Sequence, residues 1–282
     1  MFIDAYTDAR LKGPERNPAS EDATSDNLNS SFEVYWADCE EEVREAQRFR
    51  YMVFMKELGA RENENLSGNT ELDIDRFDPF CDHLLVRAPG VDGRTRGPLV
   101  GTYRLLAPDA ARRAGGFYAD TEFDMTSICT LRARAVELGR AAVHREWRSG
   151  AVIMALWGAL GRYMTSHRLD TMIGCASISM NKRGQEPAKL WEGLQENYLA
   201  APQWRVRPLI ALPMEMQTFA GKNALKGRFP PSTPPLIKGY LRCGVRLLGP
   251  PAFDAAFNTA DLPMMLRLAD LAPRYRKRFL GN

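Results

Sequence analysis

Residues 135–160 read AVELGRAAVHREWRSGAVIMALWGAL, and they carry the signals of two consecutive secondary-structure elements. The first part, 135–143, is mostly small and apolar, as in a buried strand. Apolar side chains then recur at helical spacing from Gly150 to about His167, and a second apolar run covers Thr171 to Ile178. The stretch therefore predicts a strand–helix–strand unit within a mixed or parallel sheet.

Two charged residues, Glu137 and Arg140, interrupt the predicted strand. On a regular strand, residues three apart point to opposite faces, whereas one extra residue brings them to the same face. Gly139 suits such a bulge, because glycine in a strand often marks one. The alternative is an edge strand whose charges face water.

Two arginines elsewhere also lie among apolar residues. Arg50 lies on the apolar face of a helix predicted over 40–58, and Arg104 lies in a strand predicted over 99–106. That strand is expected to pair as a hairpin with 83–88. A buried charge is strongly unfavourable unless it is paired. We therefore expect these arginines and the charges of the 135–143 strand to meet carboxylates in one site.

Candidate carboxylates occur in the stretch ELDIDRFDPFCDHLLV at 71–86. Asp75 and Asp78 lie in a predicted loop, and Asp82 and His83 open the next strand. Each of these side chains, taken alone, has a second interpretation as an ordinary solvated loop or strand-end residue.

The turn before the predicted helix is a candidate anion site. Backbone N–H groups at a helix N-terminus, together with the helix dipole, attract phosphate groups. An ordinary helix cap is the alternative interpretation. The residues at this turn are Arg145, Arg148, Ser149, Gly150 and Ala151.

Composition argues against several classes of protein. A formal charge of +3 is too small to imply nucleic-acid binding, although local basic clusters suit an acidic protein or anionic lipid. The five cysteines form no CxxC pair or cluster with histidine, so we expect reduced thiols and no metal site. Because neither a secretory signal nor an apolar run of about 20 residues is apparent, we expect a cytoplasmic protein.

The chain is expected to form one folded domain. Residues 1–31 are polar and charged, which predicts a mobile tail. The domain is expected over 32–282, with a core at about 32–180 and a C-terminal elaboration at about 181–282. Within the elaboration, a helix is predicted over 235–243.

Several motifs together resemble two related families of acyltransferases. In order and spacing, four segments are similar to the acyl-homoserine-lactone (AHL) synthase branch of GNAT-like acyltransferases: RFRYMVF at 48–54, ELDIDRFD at 71–78, GTYRLL at 101–106 and VELGRAAV at 136–143. Four others resemble the L-ornithine N-alpha-acyltransferases of ornithine-lipid synthesis: FDPFCDHLLV at 77–86, GGFYADTEFD at 115–124, ELGRAAVHREWR at 137–148 and PPLIKGYLRCG at 234–244.

The resemblance implies a fold and a reaction. The implied fold is α/β (α+β), a GNAT-like acyltransferase with a mixed, mostly antiparallel central sheet flanked by helices. The implied reaction moves a (3-hydroxy)acyl group from acyl carrier protein to the alpha-amine of L-ornithine, without a bound cofactor and with peripheral membrane contact. The alternatives are another amino-acid acceptor, an AHL-type signal, or a non-catalytic module that binds acyl carrier protein.

The resemblance also assigns roles to residues. It implies functional positions at Arg50, Phe54, Asp75, Asp78, Arg104, Glu137 and Arg140. We expect Glu137 to act as the general base, with Arg140 beside it as a second catalytic candidate. Arg104 or Arg140 is expected to grip the acceptor carboxylate, and Asp75, Asp78 or Asp82 to bind its distal ammonium, with His83 nearby.

Overall fold

The computed structural model describes residues 32–60, 71–90, 96–180, 185–212 and 229–280. The tail predicted over 1–31 lies outside these ranges, as does much of the loop predicted after the first helix.

The strands form one large sheet and one small sheet. The large sheet contains β1 (Glu33–Trp36), β2 (Asp82–Arg87), β3 (Leu99–Leu106), β5 (Ala135–Val143), β6 (Thr171–Ser179), β8 (Arg246–Leu247), β9 (Ala252–Asp254) and β10 (Thr259–Arg267). The small sheet pairs β4 (Phe123–Asp124) with β7 (Arg207–Pro208).

The helices lie between and around these strands. They are α1 (Glu40–Tyr51), α2 (Pro108–Arg113), α3 (Ala151–Ser166), α4 (Gln185–Tyr198), α5 (Pro235–Cys243) and α6 (Pro273–Leu280). α1 continues directly into a π-helical turn, Met52–Glu57, so the two together cover the predicted first helix. No described helix combines the length and the apolar character needed to cross a membrane.

The strand order in the large sheet is β1-β2-β3-β5-β6-β10-β8, and β9 pairs with β10. β5 and β6 run parallel, whereas the other recorded pairs are antiparallel. The predicted hairpin of β2 and β3 and the predicted unit β5–α3–β6 are both confirmed. The sheet is therefore mixed and mostly antiparallel, as predicted.

The parallel strands β5 and β6 separate halfway along their length. Their register runs from Ala135 opposite Thr171 to Leu138 opposite Gly174 and then stops. β5 continues through residues 139–143 without a partner in β6, while β6 stays paired with β10. A cleft therefore opens inside the sheet at Gly139.

The predicted bulge in β5 lies at the start of this cleft. Between Thr102 and Arg104 of β3, the facing register moves from Ala142 to Gly139, which leaves one extra residue in β5. Arg140 adopts a left-handed backbone conformation with φ of 50°. The bulge keeps Arg140 on the same face as Glu137, because their normal alternation is interrupted there.

The two faces of the large sheet differ in the residues that they bury. One face packs on α3, α5 and α6 through the largest apolar core, which includes Leu84, Leu138 and Leu156. The opposite face carries α1 and the turns after α2, and the buried charges point to that side. The candidate site consequently lies away from the main core.

The C-terminal part of the chain contributes a central strand that was not predicted. Only a short apolar run was recognised in FNTADLPMML, yet β10 pairs with β6 over its full length. Pro263 lies between the segments that pair with β9 and β8, and its carbonyl accepts a bond from Leu248 N at 2.8 Å. A proline in the sequence argues against a central strand, which explains why the pattern was missed.

Candidate active site

A small cavity lies on the charged face of the sheet, at the point where β5 and β6 separate. Its lining comes from both sides of the cleft and from a turn above it. The lining residues are Cys81, Arg104, Leu106, Tyr118, Glu137, Gly139, Arg140 and Cys175. Six of these eight positions are in β3, β5 and β6, so the sheet itself forms most of the site.

A buried network of opposite charges borders this cavity. We call it the arginine–aspartate cluster; it consists of Arg50, Arg104, Arg140, Asp73, Asp75, Asp78 and His83. Arg50 is 0% exposed, and its Nε bonds Asp73 Oδ2 at 2.7 Å while its Nη2 bonds Asp78 Oδ1 at 2.9 Å. Sequence reasoning missed Asp73, although it lies two positions before Asp75 in the quoted acidic stretch.

The other two arginines of the cluster share Asp75. Arg104 Nη1 bonds Asp75 Oδ1 at 2.7 Å, and Arg140 Nη2 bonds Asp75 Oδ2 at 3.2 Å. Arg140 also lies over the rings of Tyr118 and Phe257, 5.1 Å and 4.7 Å from their centres. Three guanidinium groups thus face three carboxylates, and the predicted convergence of these arginines is confirmed.

The cluster changes the proton affinity of its members. Burial alone would raise the pKa of Asp73 and Asp75, but the adjacent arginines lower both. Burial and the charge of Arg50 lower the pKa of His83 to about 4. At neutral pH, Asp73 and Asp75 are therefore ionised, and the imidazole of His83 is neutral.

Glu137 lines the cavity and is 5% exposed. Its Oε2 accepts a bond from Tyr118 N at 2.5 Å, and its Oε1 accepts one from Ala119 N at 2.7 Å. Burial raises its pKa, although these two N–H donors act in the opposite direction. Each oxygen retains a second lone pair. Glu137 can accept a proton there while it holds the turn that begins at Tyr118.

Two predicted substrate-binding residues lie elsewhere. Asp82 does not join the cluster: it points toward α3, where its Oδ2 accepts a bond from Tyr163 Oη at 2.6 Å. The reason is strand alternation, because His83 next to it faces Arg50. Phe54 is buried at the π-helical turn and meets Phe257 edge-on, with 6.1 Å between ring centres.

The predicted donor turn lies at the end of β5, beside the cleft. Gly150 has φ of 104°, a conformation that glycine adopts without strain, and α3 begins at the next residue. Arg145 and Ser149 are exposed. Arg148 is not free: it bonds Val143 O at 3.1 Å and forms two bonds to Glu57, at 2.6 Å and 3.0 Å.

Comparison with protein families identifies an acyltransferase region. The model of the acetyltransferase (GNAT) domain matches residues 49–158. This range runs from α1 to the first half of α3 and contains the arginine–aspartate cluster, the bulge and Glu137. The mixed sheet and its helices are thus a GNAT-like fold.

Curated relatives are similar over most of the chain. An L-ornithine N(alpha)-acyltransferase of Brucella abortus is 36% identical over 253 residues, which cover 87% of each protein. One from Agrobacterium fabrum is 35% identical over 257 residues, which cover 89% of this chain and 86% of the relative. Similarity at this level extends beyond the GNAT region into the C-terminal part.

Solved structures with a similar shape include the AHL synthase LasI, at 14% identity and a TM-score of 0.47, covering 89% of this chain and 95% of that one. FeeM, an N-acyl amino acid synthase, has 12% identity and a TM-score of 0.47, covering 89% and 96%. These values describe shape only and carry no argument about chemistry.

Proposed function

Because this chain belongs to the family of L-ornithine N(alpha)-acyltransferases, we propose that it transfers a (3-hydroxy)acyl group from acyl carrier protein to the alpha-amine of L-ornithine. The product would be a lyso-ornithine lipid. The observation that carries this proposal is the buried carboxylate of Glu137, which lines a cavity at the cleft of a GNAT-like sheet in a chain closely related to these enzymes.

Glu137 is the proposed general base. The alpha-amine attacks the thioester carbonyl as a neutral group, forms a tetrahedral intermediate and expels the carrier thiolate, and one proton leaves the nitrogen. A carboxylate whose pKa is raised by burial accepts this proton more readily than an exposed glutamate would. Backbone N–H groups near the bulge are the proposed donors to the oxyanion.

Arg140 is the better candidate for gripping the carboxylate of the acceptor. It lines the cavity, and although it forms ion pairs with Asp73 and Asp75, its buried Nε makes no hydrogen bond of normal geometry with the described residues. Arg104 bonds both Asp75 and Asp78 and is more fully engaged. A guanidinium group binds a carboxylate through two parallel bonds, which fixes the orientation of the amino acid.

The cleft between β5 and β6 is the proposed path for the donor. Residues 139–143 of β5 have no partner in β6, so this edge can bond the amide groups of a phosphopantetheine arm. The N-terminus of α3 follows directly and favours the phosphate of that arm. The exposed Arg145 is a proposed contact for the acidic surface of acyl carrier protein.

A lipid product also suggests contact with a bilayer. Leu209 and Ile210 are adjacent and 58% and 62% exposed, which is unusual for large apolar side chains. We therefore include peripheral attachment to the cytoplasmic face of a membrane in the proposal. Sedimentation with anionic vesicles tests this part separately from catalysis.

The direct test is an assay of purified protein with 3-hydroxyacyl-acyl carrier protein and L-ornithine. Released thiol is followed with a colorimetric reagent, and the product is identified by mass spectrometry. Glu137→Gln is expected to lower turnover about 100- to 10,000-fold, the range for loss of a general base. Glu146→Gln changes an exposed glutamate just after the same strand and is the matched control.

Each outcome of this assay has a separate meaning. If the wild type transfers acyl groups to no amino acid in a panel, the proposed reaction is wrong, and a carrier-binding module becomes the better explanation. If transfer to another amino acid or lactone formation dominates, only the acceptor is wrong. Near-normal rates in a folded Glu137→Gln variant would exclude Glu137 as the base.

A further inference from the structure

A second group of buried carboxylates lies beside the cavity and plays no part in the chemistry described above. We call it the acidic cluster; it consists of Glu122, Asp254 and Asp261. Glu122 follows the turn held by Glu137, whereas Asp254 and Asp261 come from β9 and β10. Residues separated by more than a hundred positions thus bring three acidic groups to one place.

Asp261 is the most deeply buried member, at 0% exposed. Its Oδ1 accepts a bond from Thr259 Oγ1 at 2.8 Å, whereas its buried Oδ2 makes no hydrogen bond of normal geometry with the described residues, although the Ser177 hydroxyl is close enough to lower the pKa of this carboxyl. Buried polar atoms in native proteins are nearly always paired. This oxygen is therefore available to accept a hydrogen bond from a ligand.

The carboxylate of Glu122 also lacks hydrogen bonds. Both of its carboxylate oxygens are buried and make no hydrogen bond of normal geometry with the described residues, although the Tyr118 hydroxyl is close enough to lower its pKa slightly. Asp254 is better satisfied, because Ala256 N and Phe257 N donate to its Oδ1 at 2.8 Å and 3.1 Å. The Tyr118 hydroxyl lies 3.5 Å from Asp254 Oδ2.

No arginine or lysine among the described residues forms an ion pair with the acidic cluster. Arg140, which lines the adjacent cavity, is paired with Asp73 and Asp75 instead. Burial and mutual repulsion raise the pKa of Glu122, and they raise the pKa of Asp261 to about 6. Within the part of the chain that the structure describes, these acidic groups thus lie together without a paired arginine or lysine.

The acidic cluster is continuous with the proposed active site through Cys175. The Sγ of Cys175 and the carboxylate oxygens of Glu122 and Asp261 all lie within 4.8 Å of one another. Cys175 also lines the cavity together with Glu137. A molecule whose amine lies near Glu137 can thus extend toward these carboxylates past the thiol.

We propose that the acidic cluster binds the side-chain ammonium of a basic amino-acid acceptor, an inference that rests on the proposed function. An ammonium group has three N–H donors and no acceptor, which matches an opening lined by unpaired carboxylate oxygens. Glu122 and Asp261 supply the oxygens that lack partners, and Asp254 adds further negative charge.

This assignment differs from the role first expected for Asp75, Asp78 and Asp82. Asp75 and Asp78 already neutralise arginines, and Asp82 bonds Tyr163 on the other side of the sheet. Binding a substrate ammonium at those residues would require breaking an existing ion pair or hydrogen bond. At the acidic cluster the ammonium would instead satisfy groups that have no partner.

A divalent metal ion is the main competing occupant, because Glu122, Cys175 and Asp261 are close enough to ligate one. Burial raises the pKa of the Cys175 thiol well above its ordinary value, and a neutral thiol is a weak ligand. No histidine takes part in the group. These features favour an organic cation.

The test compares acceptors that differ only at the end of the side chain. Values of kcat/KM are measured for L-ornithine and for L-2-aminopentanoate, which has the same chain without the distal amine. Wild type is expected to prefer ornithine, and Asp261→Asn or Glu122→Gln is expected to reduce kcat/KM for ornithine about 10- to 150-fold. The same variants are expected to change the value for 2-aminopentanoate less than about threefold. Asp109→Asn, at an exposed aspartate, is the control.

Several results would overturn the inference while leaving the proposed function intact. One is equal kcat/KM for the two acceptors in wild type, which needs no variant to fold. Another is a parallel loss for both acceptors in folded variants. A third is stoichiometric metal in purified wild type that Asp261→Asn lacks. By contrast, absence of transfer to any acceptor would contradict the proposed function itself, and the inference that rests on it would fail with it.

Discussion

The arginine–aspartate cluster and the acidic cluster lie on the same side of one sheet, and they differ in charge balance. The first lines the cavity through Arg104 and Arg140, whereas the second adjoins it through Cys175. In the first, three arginines face three aspartates at hydrogen-bonding or ion-pair distance. In the second, Glu122 and Asp261 have buried oxygens without partners. A region whose charges are already paired is suited to hold the loop 71–80 against the sheet. A region with unpaired charge is suited to receive a ligand.

The two clusters are also expected to respond to pH in opposite directions. Asp73 and Asp75 have lowered pKa values, so the stability they provide is present above their ordinary value of 3.8 and is lost as the pH falls. Glu122 and Asp261 have raised pKa values, so they favour the folded state at low pH.

The largest expected effect on stability comes from removing the charge of Arg50 from the arginine–aspartate cluster. Arg50→Met leaves Asp73 and Asp78 without their closest cation and is expected to cost about 3–5 kcal/mol of unfolding free energy. Urea unfolding at pH 7 measures this change. Arg44→Ala, which removes an exposed ion pair on the same helix, is expected to cost at most about 1 kcal/mol. Equal costs for the two variants would contradict the role given to Arg50.

The next largest expected effect on stability comes from the imidazole of His83 in the arginine–aspartate cluster. The pKa of His83 is about 4 in the folded protein against an ordinary value of 6.5, so protons bind preferentially to the unfolded chain. Wild type should lose about 3 kcal/mol from this group as the pH falls from 7 to 4, whereas His83→Gln has no such group to titrate. The stability difference between the two proteins is followed by urea unfolding across this range. A difference independent of pH would show that His83 titrates normally.

A smaller effect of opposite sign is expected in the acidic cluster. With a folded pKa of about 6 against 3.8, Asp261 adds stability below pH 4 that is lost as the pH rises through 6. Relative to Asp261→Asn, wild type should therefore lose about 2–3 kcal/mol between pH 4 and pH 7. The same unfolding series measures it, without ornithine. A relative gain of wild-type stability with rising pH would reverse the comparison.

Local sequence patterns predicted many of the strands and helices. The observed bounds of β3, β5 and α5 agree with the predicted ones. For β3 and α5 the end is marked by a nearby Pro108 and Gly244, and for β5 the start and end of the apolar run sufficed. The bulge at Gly139 and Arg140 also followed from local reasoning, since an extra residue brings Glu137 and Arg140 to one face and Gly139 suits a bulge.

The site was predictable only where residues occur in one motif. Asp82 and His83 were both expected in it, but adjacent strand residues face opposite sides, and only His83 could reach Arg50. Asp73 lies in a loop without periodicity, so no pattern separated it from its acidic neighbours. Asp261 reaches the neighbourhood of Glu122 because β10 pairs with β6, a long-range contact that the proline in β10 conceals in the sequence.

The bulge in β5 makes the number of residues in this strand as important as their identity. A substitution at Ala141 changes one side chain, but deletion of that residue would restore regular alternation and turn Arg140 toward the opposite layer of the protein. Insertions and deletions within 139–142 are thus expected to be more damaging than exchanges. Among related sequences, an alignment gap in this short interval would be a warning that the catalytic geometry has been lost, even where every charged letter is retained.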